Sequence, residues 1–334
     1  MSFRVAVLGA TGAVGREMIK ILEERDFPVS ELLPLATERS AGSSIVFQGR
    51  EITVTRVNAE SFKGTDLALF SAGSAASRQY AHPAVTAGAI VIDNSSAFRQ
   101  DPQVPLVIPE VNPEDLASHH GLIANPNCST IQLVMVLKPI YDRFGLERII
   151  CSTYQSVSGT GNRAIAELRE QSLAVLKGEP VASRVYPHQI AFNVLPHIDV
   201  LDADGYSFEE IKMINETRKI LHDPVLWLNV TTVRVPVFYG HSESVYLETT
   251  KEADIAEIRS LLKSAPGVKV LDNPGQNLYP LAIMSERDDA VMVGRIRRDQ
   301  VNRRGFNLWI VANNLRKGAA LNAVQIAELV ARKK

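Results

Sequence analysis

Phe3-Arg4-Val5-Ala6-Val7-Leu8-Gly9-Ala10-Thr11-Gly12-Ala13-Val14-Gly15-Arg16-Glu17-Met18-Ile19-Lys20-Ile21-Leu22-Glu23 is the stretch that decides how this chain folds. Its first six residues are strand-like, apolar but for Arg4, and Val14, Met18, Ile21 and Leu22 then recur with helical spacing. Between strand and helix stands Gly-x-x-Gly-x-x-Gly. In a dinucleotide-binding loop Gly9 permits the tight turn, Gly12 lets the backbone approach a pyrophosphate, and Gly15 lets helix and strand pack closely. The spacing differs from the commoner Gly-x-Gly-x-x-Gly, and a tight turn without a ligand is the alternative. The preceding strand, the following helix and the N-terminal position favour a cofactor loop made of Gly9, Thr11, Gly12, Ala13, Val14 and Gly15.

Outward from that loop, strand-like runs at residues 31–36, 67–71 and 89–93 alternate with a helical pattern over 75–87. Strands alternating with helices predict a parallel, doubly wound sheet, a Rossmann-like α/β domain. The second strand ends in Thr37-Glu38-Arg39-Ser40. An acidic group at this point meets the ribose hydroxyls of NAD, whereas an arginine accommodates a 2′-phosphate. Arg39, between the hydroxyls of Thr37 and Ser40, favours NADP(H); Glu38 is the rival signal. The loop at residues 94–99 leaves the carboxyl end of a strand, where open α/β sheets bind ligands, and its Arg99 could clamp a phosphate or carboxylate.

A chain of 334 residues suggests two domains. Hydrophobic content of 46% and charged content of 22% are ordinary for a globular protein. A net charge of −1 gives no global field toward nucleic acid or anionic lipid. The cluster Arg295, Arg297, Arg298, Arg303 and Arg304 is broken by Asp299 and reads as a solvated turn face. No apolar run approaches the ~18 residues that span a bilayer, and no signal peptide is expected ahead of the first strand. Two cysteines make no disulfide framework, which points to a reducing cytoplasm. The seven histidines show no ligand spacing, so no metal site is expected.

The second decisive stretch is Asn125-Pro126-Asn127-Cys128-Ser129-Thr130. An apolar strand end precedes it, and a helix beginning near Ile131, capped by Ser129 or Thr130, follows. Cys128 then sits at a helix N-terminus, whose dipole and free N–H groups favour thiolate over thiol, making it a candidate nucleophile toward an acyl carbon. The alternative is a small buried hydrophobe. Beyond it the pattern changes. A strand at residues 148–155 leads to a loop and a helix, a helix covers about 208–221, and long strands at 226–237 and 242–248 flank Gly240. These predict an antiparallel or mixed sheet in an α+β second domain. A helix from Asn314 to Arg332 ends the chain.

Read singly, His241 after a glycine turn is a hydrogen-bonded structural residue, and Glu209-Glu210-Ile211-Lys212 is a solvated first turn. Together with the segments at residues 9–15, 39–42, 94–99, 125–130, 154–162, 209–212, 234–243 and 314–328, however, they resemble aspartate-β-semialdehyde dehydrogenases over almost the whole chain. The resemblance implies Cys128 as the acylated nucleophile, Gln155 as the residue that positions the acyl group, and His241 as acid/base. It also implies that Arg234 binds the substrate carboxylate, Glu209 its amino group, and Arg99 and Lys212 phosphate. It further implies a nucleotide domain of residues 1–128, rejoined by 314–334, and a catalytic and dimerisation domain of 129–313.

The implied reaction is NADP-dependent reductive dephosphorylation of L-aspartyl-4-phosphate to L-aspartate-4-semialdehyde through a cysteine thioester, in cytoplasmic biosynthesis of lysine or diaminopimelate, threonine, methionine and isoleucine. The implied partners are these substrates, phosphate and a second copy of the chain, with neither nucleic acid nor membrane. Two other readings stand beside it. An N-acetyl-glutamyl-phosphate reductase would not need Glu209, and a non-catalytic nucleotide-binding relative would not need Cys128, Gln155, Arg234 and His241 together.

Overall fold

A computed structural model describes residues 2–332. Met1, Lys333 and Lys334, which fall within the expected domain limits, and the side chain of Arg39 lie outside the described residues. The chain divides into one unit of residues 1–127 with 318–334 and another of 128–317.

The first unit begins with β1 (Phe3–Leu8), α1 (Ala13–Glu24) and β2 (Val29–Ala36), followed by a hairpin of β3 (Ser44–Phe47) and β4 (Arg50–Thr53). Then come β5 (Thr55–Arg56), β6 (Leu67–Phe70), α2 (Ser74–Thr86), β7 (Ile90–Asp93) and β8 (Leu122–Ala124). The sheet runs β5-β2-β1-β6-β7-β8 with every pair parallel. Strand order reverses at β1, which has β2 on one side and β6 on the other, so the crevice of a doubly wound sheet opens where Gly9 follows β1. β6 and the Val5–Leu8 part of β1 are buried on both faces, hence their apolar runs; Arg4, near the start of β1, is only partly buried.

The second unit contains α3 (Cys128–Phe144), β9 (Leu146–Gln155), α4 (Asn162–Lys177), α5 (Phe208–Ile220), β10 (Trp227–Arg234) and β11 (His241–Thr249). It continues with α6 (Ile255–Ser264), β12 (Val268–Val270), β13 (Val291–Arg298) and β14 (Gly305–Ala312). Its sheet, β10-β9-β11-β14-β13-β12, is mixed: β9 and β10 are parallel, as are β12 and β13, while β11 and β14 run against their neighbours. α3 packs on β9, β11, β13 and β14 and on helices α5 and α6. That is why it is apolar nearly all round, with buried residues from Ser129 to Leu137 in succession.

α7 (Leu321–Ala331) returns to the first unit, packs on α1 and contributes Leu321, Val324, Ile326 and Val330 to the core around Val5, Val7, Met18 and Leu69. Each fully buried aliphatic side chain of this kind stabilises by about 1.5–3 kcal/mol.

Three local expectations are corrected. α3 starts at Cys128, so Ser129 and Thr130 lie inside its first turn instead of capping it. The terminal helix expected from Asn314 is a π-type turn over Arg316–Ala320 followed by α7. The chain re-enters the first unit at Gly318, because Asn314 is bonded to Ser156, Ser158 and Gly240 of the second. Of the arginine cluster, Arg295, Arg297 and Arg298 belong to strand β13, where buried Ile296 stands between the exposed Arg295 and Arg297; only Arg303 and Arg304 lie in a turn.

Candidate active site

The topology of the second sheet gathers three of the expected side chains. β9 and β10 are parallel and end in register at Gln155 and Arg234, while antiparallel β11 begins at His241, beside the pairing of Ser242 with Tyr154. Gln155, Arg234 and His241 therefore stand at one end of one sheet, and all three are buried.

α5 brings the fourth and fifth. Its start is a capping box, in which the Ser207 hydroxyl accepts from Glu210 N–H at 3.2 Å and Glu210 accepts from Ser207 N–H at 2.8 Å. Glu210 also accepts from the backbone of Thr232 on β10 at 2.9 Å, pinning this end of the helix to the sheet. The first turn is thus buried, not solvated. Glu209, one residue earlier, accepts from Gln155 Nε2 at 3.1 Å. Its other oxygen is 2.9 Å from Lys212 Nζ, which also reaches Asp199 at 2.8 Å. Burial works against the Lys212 charge, but these two carboxylates outweigh it and raise its pKa.

Arg234 donates from a terminal nitrogen to the Ser156 carbonyl at 2.7 Å and lies 6.0 Å from the Tyr186 ring centroid; its Nε has no partner among the described residues. His241 is wholly buried, and burial together with Arg234 lowers its pKa to about 3, with Glu209 pulling the other way. Its Nδ1 receives the backbone N–H of Ser156 at 3.1 Å, and its Nε2 has no partner among the described residues. Gly159 lies against both side chains. A Cβ there would come within 3.2 Å of an Arg234 terminal nitrogen and 3.3 Å of the His241 ring.

Cys128 opens α3 and is half-buried, whereas Cys151, the other thiol, is wholly buried on β9, its pKa raised by burial and by Glu243. Of the two thiols, Cys128 is the accessible one.

The remaining expected residues belong to the first unit. Gly9 has φ +90°, and a Cβ there would lie 2.9 Å from the backbone of Ser71 and Ala72. A Cβ on Gly15 would run into the Gly9 carbonyl oxygen. Both positions need glycine, and α1 begins at Ala13 with Gly12 before it, so Gly12, Ala13 and Val14 line a bare helix N-terminus beside Thr11. These residues fit a dinucleotide pyrophosphate. Thr37 and Ser40 flank a short turn after β2, and Glu38 is paired with Arg56 at 3.0 Å. Buried Arg99 donates to the carbonyls of Asn94 and Asn125, each at 2.9 Å.

Asp199 and Tyr186 join this constellation without having been singled out in the sequence, and Ser156 and Asn314 join it from segments in which neither had been assigned a role in the site. Asp199 and Tyr186 lie in a stretch without regular periodicity, and Ser156 meets Asn314 across 158 residues through sheet pairing.

Comparison with known proteins finds relatives along the whole chain. Residues 4–119 match the family described as semialdehyde dehydrogenase, NAD binding domain, and residues 137–317 match semialdehyde dehydrogenase, dimerisation domain. The aspartate-semialdehyde dehydrogenase of Aquifex aeolicus is 57% identical over 99% of this chain and 98% of its own, and that of Bacillus subtilis 52% over 97% and 96%. The crystal structure of aspartate semialdehyde dehydrogenase II from Vibrio cholerae superposes with a TM-score of 0.97 at 48% identity, covering 99% of both chains. A second structure of that enzyme, described as complexed with ASA, gives 0.97 at 47%, again over 99% of both. The two-unit fold, the glycine loop, the thiol heading α3 and full-length identity to these enzymes lead to one assignment: this chain belongs to the aspartate-semialdehyde dehydrogenase family.

Proposed function

We propose that the chain catalyses NADP(H)-dependent reductive dephosphorylation of L-aspartyl-4-phosphate to L-aspartate-4-semialdehyde through a thioester on Cys128. The observation that carries this reading is the placement of an accessible thiol at the head of α3, in the same unit that gathers Gln155, Arg234, His241 and Glu209 at one sheet end.

The Cys128 thiolate attacks the acyl carbon, the C–O bond to phosphate breaks, and phosphate leaves with that bond's electron pair. Covalent capture divides a difficult displacement into two easier steps. Gln155, anchored by Glu209, orients the acyl carbonyl. Arg234 offers its guanidinium to the substrate carboxylate, and Glu209 takes the amino group. His241 handles the proton at the oxygen of the reacting carbon. Lys212 and Arg99 are assigned to phosphate on the resemblance; Lys212 enters that role already shared between two carboxylates.

Gly9, Thr11, Gly12, Ala13, Val14 and Gly15 would hold the cofactor pyrophosphate, and Thr37, Arg39 and Ser40 the phosphorylated ribose. When bound, the nicotinamide supplies the hydride that the acyl carbon takes up.

Ile150, Tyr154 and Trp227 leave apolar surface exposed on the second sheet, which supports a homodimer formed through that sheet. Among the described residues no helix is long and apolar enough to cross a membrane. Two cysteines that form no disulfide suit the cytoplasm, the compartment this reading implies.

The test is Cys128→Ser assayed with aspartate semialdehyde, phosphate and NADP⁺, alongside mass spectrometry for an acyl adduct on the unmodified enzyme. Cys128→Ser should fold and bind NADPH yet lose most turnover, and Cys151→Ser should stay active. Turnover like that of the unmodified enzyme in Cys128→Ser would end the nucleophile assignment.

A further inference from the structure

His241 is backed by a buried polar chain that none of the roles above uses. The Oδ1 of Asn314 accepts from Gly240 N–H at 3.0 Å and lies 3.1 Å from both the Ser156 and Ser158 hydroxyls. Its Nδ2 is 3.0 Å from the Ser158 hydroxyl. The Ser156 hydroxyl in turn lies 3.0 Å from that of Ser158 and 3.1 Å from His241 Nδ1. All of these side chains are at most 2% exposed.

Ser156 thus presents two different groups to the same ring nitrogen. Its backbone N–H can only donate, so it serves Nδ1 when that atom carries a lone pair and the neutral ring has its proton on Nε2. Its hydroxyl can do the opposite. With its own hydrogen directed to Asn314 Oδ1, the oxygen turns a lone pair toward Nδ1 and serves an Nδ1–H. A buried imidazole that gains a proton needs a partner for each N–H, since a buried unsatisfied donor is costly. Nδ1 has partners for either state, and Nε2 is left for the substrate.

Resting on the reading that His241 handles a proton of the substrate, we propose that Ser156 and Asn314 are positioning residues for that transfer: the Ser156 hydroxyl, oriented by Asn314, accepts from Nδ1–H and so holds the buried ring in the tautomer whose Nε2 lone pair takes the proton, while the Ser156 N–H serves the other tautomer, in which Nε2 carries the hydrogen. In aldehyde oxidation the Cys128 thiol adds across the aldehyde, and the hydroxyl proton of the resulting hemithioacetal passes to Nε2 of a ring whose Nδ1–H is bonded to the Ser156 hydroxyl; in reduction a proton returns from Nε2 to the same oxygen. Asn314 secures the arrangement twice, because the Gly240 N–H that it accepts belongs to the residue before His241. That turn is itself fixed: Gly240 has φ +84°, and a Cβ there would lie 2.7 Å from the Ala282 carbonyl.

The charged and titratable groups around the ring are Arg234 from β10, Glu209 from α5 and, two residues along its own strand, Glu243; Cys128 heads α3, which packs on β11. None of these is altered by Ser156→Ala or by Asn314→Asp, and the latter keeps the side-chain shape. Ser156→Ala should lower kcat for aspartate semialdehyde oxidation at least about tenfold, part of the 10²–10⁴-fold that a positioned acid–base group supplies, with KM within about twofold. Asn314→Asp places a carboxylate behind the Ser156 hydroxyl, favours the protonated ring, and should move the acid limb of kcat upward by about one pH unit or more. A kcat for Ser156→Ala equal to that of the unmodified enzyme, or an Asn314→Asp profile superimposable on it, would overturn the proposal. His241→Asn separates the two levels: if it keeps full kcat the underlying reading of His241 fails, and if it loses kcat while the other variants do not, only the positioning role fails.

Discussion

Lys212 Nζ lies 2.9 Å from Glu209 and 2.8 Å from Asp199, so the cation assigned to phosphate already has two carboxylates. Glu209 is the more committed of the pair, being buried and also bonded to Gln155. Asp199 is about half exposed and competes with any incoming anion for the same ammonium. Asp199→Asn should therefore lower KM for phosphate roughly two- to fivefold, the worth of a partly exposed ion pair of about 0.4–1 kcal/mol. An unchanged phosphate KM would remove Lys212 from the phosphate site.

Cofactor choice turns on Arg39. Glu38, the feature that would favour NAD, is engaged by Arg56. Loss of a charge-assisted contact to a 2′-phosphate costs about 1.5–3 kcal/mol, so Arg39→Ala should weaken NADPH binding roughly 10- to 150-fold and NADH binding much less. Fluorescence titration with both cofactors decides this, and equal losses would show that Arg39 does not read the phosphate.

Arg234 is held by the Ser156 carbonyl through one terminal nitrogen, which leaves the planar fork to meet a carboxylate. Lysine keeps the charge but cannot reproduce that fork. Arg234→Lys should raise KM for aspartate semialdehyde more than about tenfold with a smaller change in kcat. Steady-state kinetics showing the opposite split would make Arg234 part of the chemical step.

Glu243 is wholly buried on β11. Burial raises its pKa well above 4.5 despite the Gln132 amide, and neither carboxyl oxygen has a hydrogen bond of ordinary geometry among the described residues. The folded chain therefore keeps a proton that the unfolded chain releases above about pH 4.5. Stability associated with this group is complete below that pH and is lost as pH rises toward the raised folded value. Glu243→Gln has no proton to lose, so its Tm should match that of the unmodified protein near pH 4 and exceed it increasingly toward pH 8. A Tm difference independent of pH would show that Glu243 does not carry that proton.

Legibility in the sequence followed locality. The loop from Gly9 to Gly15 could be read because turn, strand and helix are all set by neighbours within a dozen residues. Gln155, Arg234 and His241 could be named one by one, but their meeting depends on β9 and β10 ending in register and β11 starting there, which no single stretch encodes. Asn314 looked like the start of a helix; only the pairing of β11 with β14 brings it to Ser156. The strand character of Arg295, Arg297 and Arg298 was masked because Ile296 is the one buried side chain among their charges. The start of α3 was placed late because the apolar run that marks the helix begins at Ile131, one turn after its first residue.

The return of α7 to the first unit has a consequence for synthesis. Domains usually fold in the order in which they leave the ribosome. Here the nucleotide unit comes out first, yet Leu321, Val324, Ile326 and Val330 complete its core, so about 190 residues of another unit must be made before it can close. During that interval the apolar surface that α7 will cover stays open, and the inserted unit has all of its own segments while its host still waits for the last one.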